Sequence, residues 1–453
     1  MMEMIKSSFV ACIGHRVFAL LAAALMATPT LGQANLGEVT WEARIEVAAG
    51  GGYRGPWLMN ESDFRYVDDP TVAINDEGVV AVAWADQSRK DIFLQIYEAN
   101  GKKRFEKPVN VSRSPRIFSW LPRMLITSGR AREIYILWQE IVFSGGTHGG
   151  EIFFARSTDG GKSFNGPLNL SNTIAGAGKG RLTRSYWHNG SLDLALASDG
   201  NLYAAWTEYE GALRFSRSTD RGRSFSNPLH VAGDDRVPAR GPSLAVDADG
   251  SVYLVWTVGE DRSANIHFAK SGDRGRSFGE PRTVFKSSGH SDAPKIAVDG
   301  KGSVHLVYAE SPAGPFERYH IRYSRSNDRG RTFEKARVIS SPHTEKFDSV
   351  NFPTLALDGA DNLYVIWELF PSRREFPRGL GFAYSTDGGK TFASPSVVPG
   401  TTDPAFGSNG GQQGLLMQKL AVNGAGAVAI VNSTFKPNET SRIWLFRGRA
   451  ARR

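Results

Sequence analysis

Short apolar runs alternate with turn residues along most of the chain. In PSLAVDADGSVYLVW (242–256), an apolar run leads into an Asp and Gly turn and then into a run rich in β-branched and aromatic residues. This pattern is typical of two strands joined by a tight hairpin. Six related phrases lie at Pro70, at Pro122, just before Trp206, and at Pro294, Pro353 and Leu420. The pattern therefore predicts seven hairpins, and no segment beyond the first residues has the apolar period of a helix.

A nine-residue phrase recurs between the hairpins, and we call it the box. It is RSTDGGKSF at 156–164, and close copies lie at 217–225, 270–278, 325–333 and 384–392. A degenerate copy, EANGKKRF, lies at 98–105. Each box follows a predicted third strand and precedes a short fourth strand. Units of four strands that recur at roughly 45 to 70 residues are typical of β-propeller blades.

The seventh unit ends one strand short. Its third strand, SRIWLF (441–446), is followed by the end of the sequence, and an open strand edge invites pairing with other molecules. The segment WEARIEVA (41–48), which precedes the first unit, is the natural partner for that edge. We therefore predict an all-β fold: a seven-bladed β-propeller of four-stranded antiparallel blades, closed by an N-terminal strand that completes the last blade.

The first 34 residues look like a secretory signal peptide. Lys6 and Arg16 precede the apolar run 17–27, which is too short to span a bilayer. The only cysteine, Cys12, lies in this leader, so we expect an exported chain without disulfides. The expected product is one propeller domain (35–448) with a basic tail (449–453). We predict a periplasmic or extracellular monomer without stable membrane insertion.

Charge and motifs narrow the function classes. The net charge of +8 is modest and spread along the chain, which favours a solvated basic tail over a nucleic-acid or membrane patch. The sequence has no glycine-rich phosphate loop, no nucleophile elbow and no Cys or His metal motif. We therefore predict neither a cofactor nor a metal. The weaker alternative is a divalent cation held by His188, His290, Asp68, Asp69 and Asp292.

The box pattern Ser-x-Asp-x-Gly-x-Ser/Thr-Phe resembles the Asp-box of bacterial neuraminidase repeats, and the chain is similar to sialidase-superfamily propellers over its whole mature length. The resemblance implies a carbohydrate-active hydrolase, with a six-bladed sialidase propeller as the alternative fold. It also implies an active site on the face opposite the boxes, which we call the mouth. The box aspartates themselves are expected to accept hydrogen bonds from backbone amides of their own turns.

Acidic residues follow the second strands of five units. They are Asp86, Glu140, Glu208, Glu310 and Glu368. Such a series either ties the loops of the mouth to neighbouring amides or supplies a general acid or base, since glycoside hydrolysis uses paired carboxyl groups. Sialidases use a tyrosine nucleophile helped by a glutamate, so the resemblance makes Glu208 and Tyr209 catalytic candidates. Asp68 and Asp69, before the first strand, are the other catalytic candidates.

Residues that precede the first strands, or lie in the long loop 309–320, are candidates for ligand binding. They are Trp120, Arg184, His188, Arg240, Asp292 and Arg318. Arginine binds a sugar carboxylate through two parallel hydrogen bonds. Sialidases open their first blade with Arg-Ile-Pro, whereas this chain has Asp68-Asp69-Pro70, and an acid there would repel an anionic sugar.

Two functions remain open on these residues. The first is a secreted hydrolase of a glycan or glycoconjugate, with sialic acid as the substrate that the resemblance implies. The second is a non-catalytic propeller that binds a glycan or a protein partner, because a fold does not fix a function.

Overall fold

The strands of the protein are antiparallel and short. The computed structural model describes residues 39–129, 132–142, 150–173, 191–208, 211–234, 236–259, 263–315, 317–340, 346–372, 374–410 and 418–450. In these ranges every element is a β-strand except the 3-10 helix Pro404–Phe406. The predicted signal peptide lies outside them. Seven sheets form the blades of a β-propeller, and a small separate hairpin pairs Tyr53–Arg54 with Phe64–Arg65.

In blades 1 to 6 the chain runs from the innermost strand to the outermost, and the innermost strands of successive blades touch. The strands of blade 1 are Val67–Ile74, Val80–Asp86, Asp91–Tyr97 and Val109–Asn110. Those of blade 2 are Ser119–Ile126, Ile134–Glu140, Glu151–Ser157 and Leu168–Asn169. Those of blade 3 are Leu192–Leu196, Leu202–Thr207, Leu213–Ser218 and Leu229–Ala232.

Blades 4 to 6 repeat this order. The strands of blade 4 are Ala239–Val246, Val252–Val258, Asn265–Ser271 and Arg282–Phe285. Those of blade 5 are His290–Val298, Val304–Ser311, His320–Ser326 and Arg337–Val338. Those of blade 6 are Ser349–Leu357, Leu363–Phe370, Leu380–Ser385 and Ser396–Val397.

Blade 7 is built from both ends of the chain. Its C-terminal strands are Leu420–Val422, Ala427–Lys436 and Thr440–Ala450, with the short Ser408–Asn409 paired beside Phe435 and Thr434. The N-terminal strands Val39–Trp41 and Ile45–Gly50 pair with the outer edge, with Ile45 opposite Leu445 and Val39 opposite Ala450. The predicted closure is therefore confirmed, and the six-bladed alternative is wrong. Two residues of the predicted basic tail, Arg449 and Ala450, belong to the last strand.

The hydrophobic core lies between neighbouring blades. The second strands of six blades carry a buried aromatic residue at the same place: Trp84, Trp138, Trp206, Trp256, Tyr308 and Trp367. Between blades 2 and 3, for example, Leu137 and Phe154 pack against Leu194 and Leu202. Because burying one such side chain stabilises the fold by about 1.5–3 kcal/mol, the repeated packing holds the ring together without disulfides.

The five boxes form the turns between third and fourth strands, as predicted, and all have the same internal hydrogen bonds. In the first box Ser157 Oγ donates to Asp159 Oδ1 (2.7 Å), and the Gly161 amide donates to Ser157 Oγ (2.9 Å). Ser163 Oγ donates to Asp159 Oδ2 (2.6 Å), and the Ser163 amide donates to Asp159 Oδ1 (3.0 Å). The turns centred on Asp220, Asp273, Asp328 and Asp387 repeat this pattern.

The boxes also connect neighbouring blades. The Arg156 guanidinium donates to the backbone oxygen of Arg221 in the next box (2.9 Å), and Arg217 donates to that of Arg274 (3.4 Å). Phe225 packs edge-on against Phe154 of the preceding blade, with ring centroids 4.8 Å apart. The boxes therefore shape the turns and join one blade to the next.

Candidate functional site

The innermost strand of five blades carries a β-bulge close to the mouth. In each case the residue before a proline has a positive φ: Asp69 (50°), Leu121 (56°), Gly241 (60°), Ala293 (53°) and Phe352 (56°). The pairing register skips at each of these places. Backbone of this kind costs about 1–3 kcal/mol per non-glycine residue. Bulges redirect side chains, and here they do so repeatedly at the end of the propeller where the sequence predicted a site.

The residue two positions before each of these prolines occupies an equivalent place, opposite the residue that follows the buried aromatic of the second strand. We call this set the upper ring: Asp68, Trp120, Arg240, Asp292 and Asn351. Four of the five were predicted site residues, and each of those four is 7–8% exposed. The structure thus brings these four candidates to one level of the mouth.

A second set lies one step deeper, opposite the residue that precedes the buried aromatic or its equivalent in blade 7. We call it the lower ring: Thr71, Arg123, Asp193, Ser243, Lys295, Thr354 and Lys419. The sequence analysis did not predict its charged members. They could have been found from the polar residue that directly follows the proline of a hairpin phrase, since Arg123 and Lys295 occupy that position.

Arg240, His290, Asp292 and Tyr319 form a buried cluster at the mouth, between blades 4 and 5. Arg240 Nη1 lies 3.9 Å from Asp292 Oδ2, and Tyr319 OH lies 3.0 Å from His290 Nδ1. Asp292 Oδ1 accepts hydrogen bonds from Thr257 Oγ1 (2.9 Å) and from the Ala293 amide (2.8 Å). Tyr319 was not predicted as a site residue, and His290 was named only in the divalent-cation alternative.

The electrostatics of this cluster favour a neutral histidine. Burial lowers the pKa of His290, and the charge of Asp292 only partly opposes it. Burial would raise the pKa of Asp292, but the charges of Arg240 and His290 outweigh it and lower that pKa. Within the described residues Arg240 Nε has no hydrogen-bond partner. The cluster therefore combines a neutral imidazole, a phenol and an arginine with free donor capacity.

Asp68 contacts blade 7, whereas its neighbour Asp69 accepts a hydrogen bond from the Leu121 amide of blade 2. Asp68 Oδ1 accepts a hydrogen bond from Ser433 Oγ (2.7 Å). Burial, followed by the charge of Asp68, holds the pKa of Asp69 well above its usual range. A carboxyl group that keeps its proton beside another carboxylate is the kind of pair that glycosidases use as acid and base. Their catalytic role stays a prediction.

The acids that follow the second strands are bound by partners in their own or the next blade. Glu208 accepts from Arg214 Nε (2.8 Å), and Glu310 accepts from Arg322 Nε (2.7 Å). Glu140 accepts from Trp138 Nε1 (3.0 Å). Burial raises the pKa of Glu208, with Arg214 opposing. These contacts are what the loop-tying interpretation expects.

Trp120, although a member of the upper ring, and the remaining predicted residues have partners outside the Arg240–Asp292 cluster or lie outside the described ranges. Trp120 donates through Nε1 to Gln87 Oε1 (2.7 Å) and packs 5.5 Å, centroid to centroid, from Trp57. Arg318 is exposed and forms an ion pair with Asp348. Tyr209, Arg184 and His188 lie outside the described residues, so the catalytic pair Glu208–Tyr209 stays a prediction.

Neither a metal-ligand cluster nor a membrane-spanning helix is found among the described residues. Among them, no three His, Cys, Asp or Glu side chains come together as metal ligands would. No helix in the described ranges is long and apolar enough to cross a bilayer. The expectations of no metal and no cofactor stay predictions, because His188 lies outside these ranges.

Comparisons with known proteins support the fold at low sequence identity. No protein-family model matches the chain, and no curated protein sequence matches it either. The chain is similar to the polysaccharide lyase Uly1, with 10% identity over 90% of this chain and 99% of that one and a TM-score of 0.56. An ulvan lyase solved with bound -[GlcA(1-4)Rha3S]- shares 12% identity over 88% and 95% of the two chains, with a TM-score of 0.53.

A mutant of the NanB sialidase from Streptococcus pneumoniae shares 11% identity over 67% and 65% of the chains, with a TM-score of 0.47. The structural neighbours thus include both polysaccharide lyases and sialidases, all built on a β-propeller. These similarities concern the fold alone. The function depends on the residues of the mouth.

Proposed function

We propose that the protein is a carbohydrate-active propeller that cleaves an acidic polysaccharide at its mouth by β-elimination, with Arg240, His290 and Tyr319 as the reacting groups. The observation that carries the proposal is the 3.0 Å contact between His290 Nδ1 and Tyr319 OH, beside an arginine with free donor capacity. The ulvan lyase among the structural neighbours was solved with a saccharide that contains a uronate, GlcA. That ligand is the substrate class that fits the arginine.

The chemistry needs three things, and the cluster offers each. A base removes the proton on the carbon next to the uronate carboxylate, and the low pKa of His290 keeps a neutral imidazole available near pH 7. A cation must face the carboxylate as negative charge builds on it, which suits the guanidinium of Arg240. The glycosidic C–O bond then breaks as the C=C bond forms, and the leaving oxygen takes a proton from the Tyr319–His290 pair.

A hydrolase of sialic acid or another sugar is the second candidate, as the sequence predicted. The adjacent carboxyl groups of Asp68 and Asp69, and the raised pKa of Glu208, favour it. Against it, sialidases hold their sugar with three arginines. Among the described residues the two rings contain only Arg123 and Arg240.

We test the proposal with the purified mature chain on three substrate sets: uronate polysaccharides, fluorogenic sialosides and aryl glycosides. We expect an unsaturated uronate, detected by its ultraviolet absorbance, from the first set alone. Release of a sialoside or aryl fluorophore without that product would instead establish the hydrolase. Binding to an acidic glycan without any turnover would establish the non-catalytic alternative.

Tyr319→Phe separates catalysis from packing. We expect it to lower kcat by about 100-fold or more, because it removes the proton-transferring hydroxyl while the ring stays in the core. Tyr97→Phe is the matched control, because Tyr97 is also buried but lies at the box end, and its hydroxyl has no partner in the described residues. The activity of wild type should fall on the acid side with an apparent pKa below 6.5, the ordinary value for histidine. Equal activity of the two variants would exclude Tyr319 from the reaction.

The assignment of the boxes to Asp-box repeats, export to a periplasm or beyond the cell, and a monomeric state belong to the same proposal. The identical Ser–Asp–Gly hydrogen bonding of five turns supports the first. Cell fractionation and size-exclusion chromatography test the other two. A mature chain that stays in the cytoplasm would remove the export claim.

A further inference from the structure

Three charged members of the lower ring interact with one another: Arg123, Asp193 and Lys295. Arg123 Nε of blade 2 lies 3.9 Å from Asp193 Oδ1 of blade 3. Lys295 belongs to blade 5, yet its pKa is affected by the charges of both Arg123 and Asp193. All three residues occupy the same level of their innermost strands, and blade 4 separates Lys295 from Asp193 along the ring.

The local charge is positive. Of the other ring members, Lys419 is neutralised by the Glu368 carboxylate and also donates to Asn432 Oδ1 (3.1 Å). Two cations, Arg123 and Lys295, therefore share one carboxylate, Asp193. Asp69 lies near Arg123, but burial favours its protonated form. The formal charges of the lower ring and Glu368 at neutral pH therefore sum to about one positive unit.

Both cations lack full hydrogen bonding within the described residues. Arg123 is 1% exposed, and its Nη1 donates to the Pro122 oxygen (3.1 Å), while its Nε makes no hydrogen bond and has the Asp193 carboxylate 3.9 Å away. Among the described residues no hydrogen bond or ion pair is found for the Lys295 ammonium group, and the residue as a whole is intermediate in burial. A cation whose donors are only partly hydrogen-bonded is costly to bury. An anion that entered along the channel would satisfy both groups.

We propose that the lower ring binds a small monovalent anion between Arg123 and Lys295, below the level of the mouth cluster. Ser243, from the intervening blade 4, supplies a further donor. Its Oγ accepts the Ile296 amide (3.4 Å), which leaves its hydroxyl proton free to point at the anion. The site is independent of the proposed lyase reaction, because none of these residues belongs to the Arg240–His290–Tyr319 cluster.

Bromide is the probe, since it is a small monovalent anion with an anomalous X-ray signal. The Tm of the mature chain is measured as bromide replaces gluconate at constant ionic strength. We expect a saturable rise in Tm for wild type, because a ligand that binds only the folded state stabilises it by mass action. Lys295→Met should lose the rise. Lys301→Met, which removes an exposed surface lysine that pairs with Asp361, should keep it.

Asp193→Asn should change the affinity for bromide in the opposite direction. It removes the competing carboxylate and should tighten bromide binding about tenfold, which corresponds to 1.4 kcal/mol. Binding should also weaken above pH 8, because burial, with a smaller contribution from the charge of Arg123, lowers the pKa of Lys295 to about 8. Bromide-soaked crystals should show an anomalous peak within hydrogen-bond distance of Arg123 and Lys295. Identical responses of the two lysine variants, or no peak in the channel, would overturn the proposal.

Discussion

The two ends of the propeller stabilise their charged side chains in different ways. At the box end each aspartate is satisfied within its own turn, as Asp220 is by Ser218 Oγ, by Ser224 Oγ and by backbone amides. At the mouth several charged groups instead rely on other blades, as Arg123 of blade 2 does on Asp193 of blade 3 and Lys419 of blade 7 does on Glu368 of blade 6. Contacts within one turn can be repeated from blade to blade without change. Contacts between blades have to differ from blade to blade, and these differences allow binding and chemistry to develop.

The pKa values follow the same division. Burial would raise the pKa of Asp159, but hydrogen bonds from Ser163 and Ser157 outweigh it and lower that pKa to about 2. At Asp69 burial and the Asp68 charge prevail instead, and the pKa lies well above its usual range. The same residue type is thus stabilised as an anion at one end and as an acid at the other.

The largest expected effect at the box end is on stability. A Cβ on Gly222 would lie 2.7 Å from Phe154 Cζ, and φ there is +75°. Gly222→Ala should therefore lower the free energy of unfolding by about 2–4 kcal/mol, as strain in the left-handed region adds to overpacking. The measurement is urea or thermal unfolding.

Gly388→Ala is the matched control. Gly388 also has a positive φ (+67°), but nothing lies within 4 Å of its added Cβ. Three other boxes place an arginine there with positive φ: Arg221, Arg274 and Arg329. Gly388→Ala should therefore lower the free energy of unfolding by about 1 kcal/mol or less. Equal losses for the two glycines would mean that packing between blades does not require the glycine of the box.

Two aspartate substitutions should shift stability in opposite directions. Asp69→Asn should stabilise the protein by about 1 kcal/mol at pH 7, because it removes the need to protonate or bury a charge. Asn also tolerates the positive φ of residue 69 (50°). Asp220→Asn should destabilise by about 1 kcal/mol, since its amide nitrogen cannot accept the Ser224 hydroxyl proton.

The pH dependence separates these causes. The folded pKa of Asp69 is raised, so its stabilising contribution is complete below 3.8 and is lost as pH rises through the folded value. The advantage of Asp69→Asn over wild type should therefore shrink as pH is lowered towards 4. An advantage that does not change with pH would mean that protonation of Asp69 is not its source.

The fold was open to prediction from sequence because its determinants are local and repeated. The hairpin phrases and boxes specify strands and turns, and the segment 41–48 was the natural candidate to pair with the open edge. The upper ring was also within reach, because Asp68, Trp120, Arg240 and Asp292 precede their hairpins directly. The pairing of His290 with Tyr319 was not, since it joins residues 29 positions apart through tertiary packing.

The smallest expected effect concerns the contact between boxes. Arg156→Met should lower the free energy of unfolding by about 0.5–1 kcal/mol, because it removes the hydrogen bond to the Arg221 oxygen while keeping much of the aliphatic chain. Arg217→Met, whose hydrogen bond is longer (3.4 Å against 2.9 Å), should cost less. Thermal unfolding of both variants measures the difference. If Arg217→Met proved the more damaging, the box arginines would act through something other than these hydrogen bonds. The box end would then be less self-contained than the internal hydrogen bonds of its turns indicate.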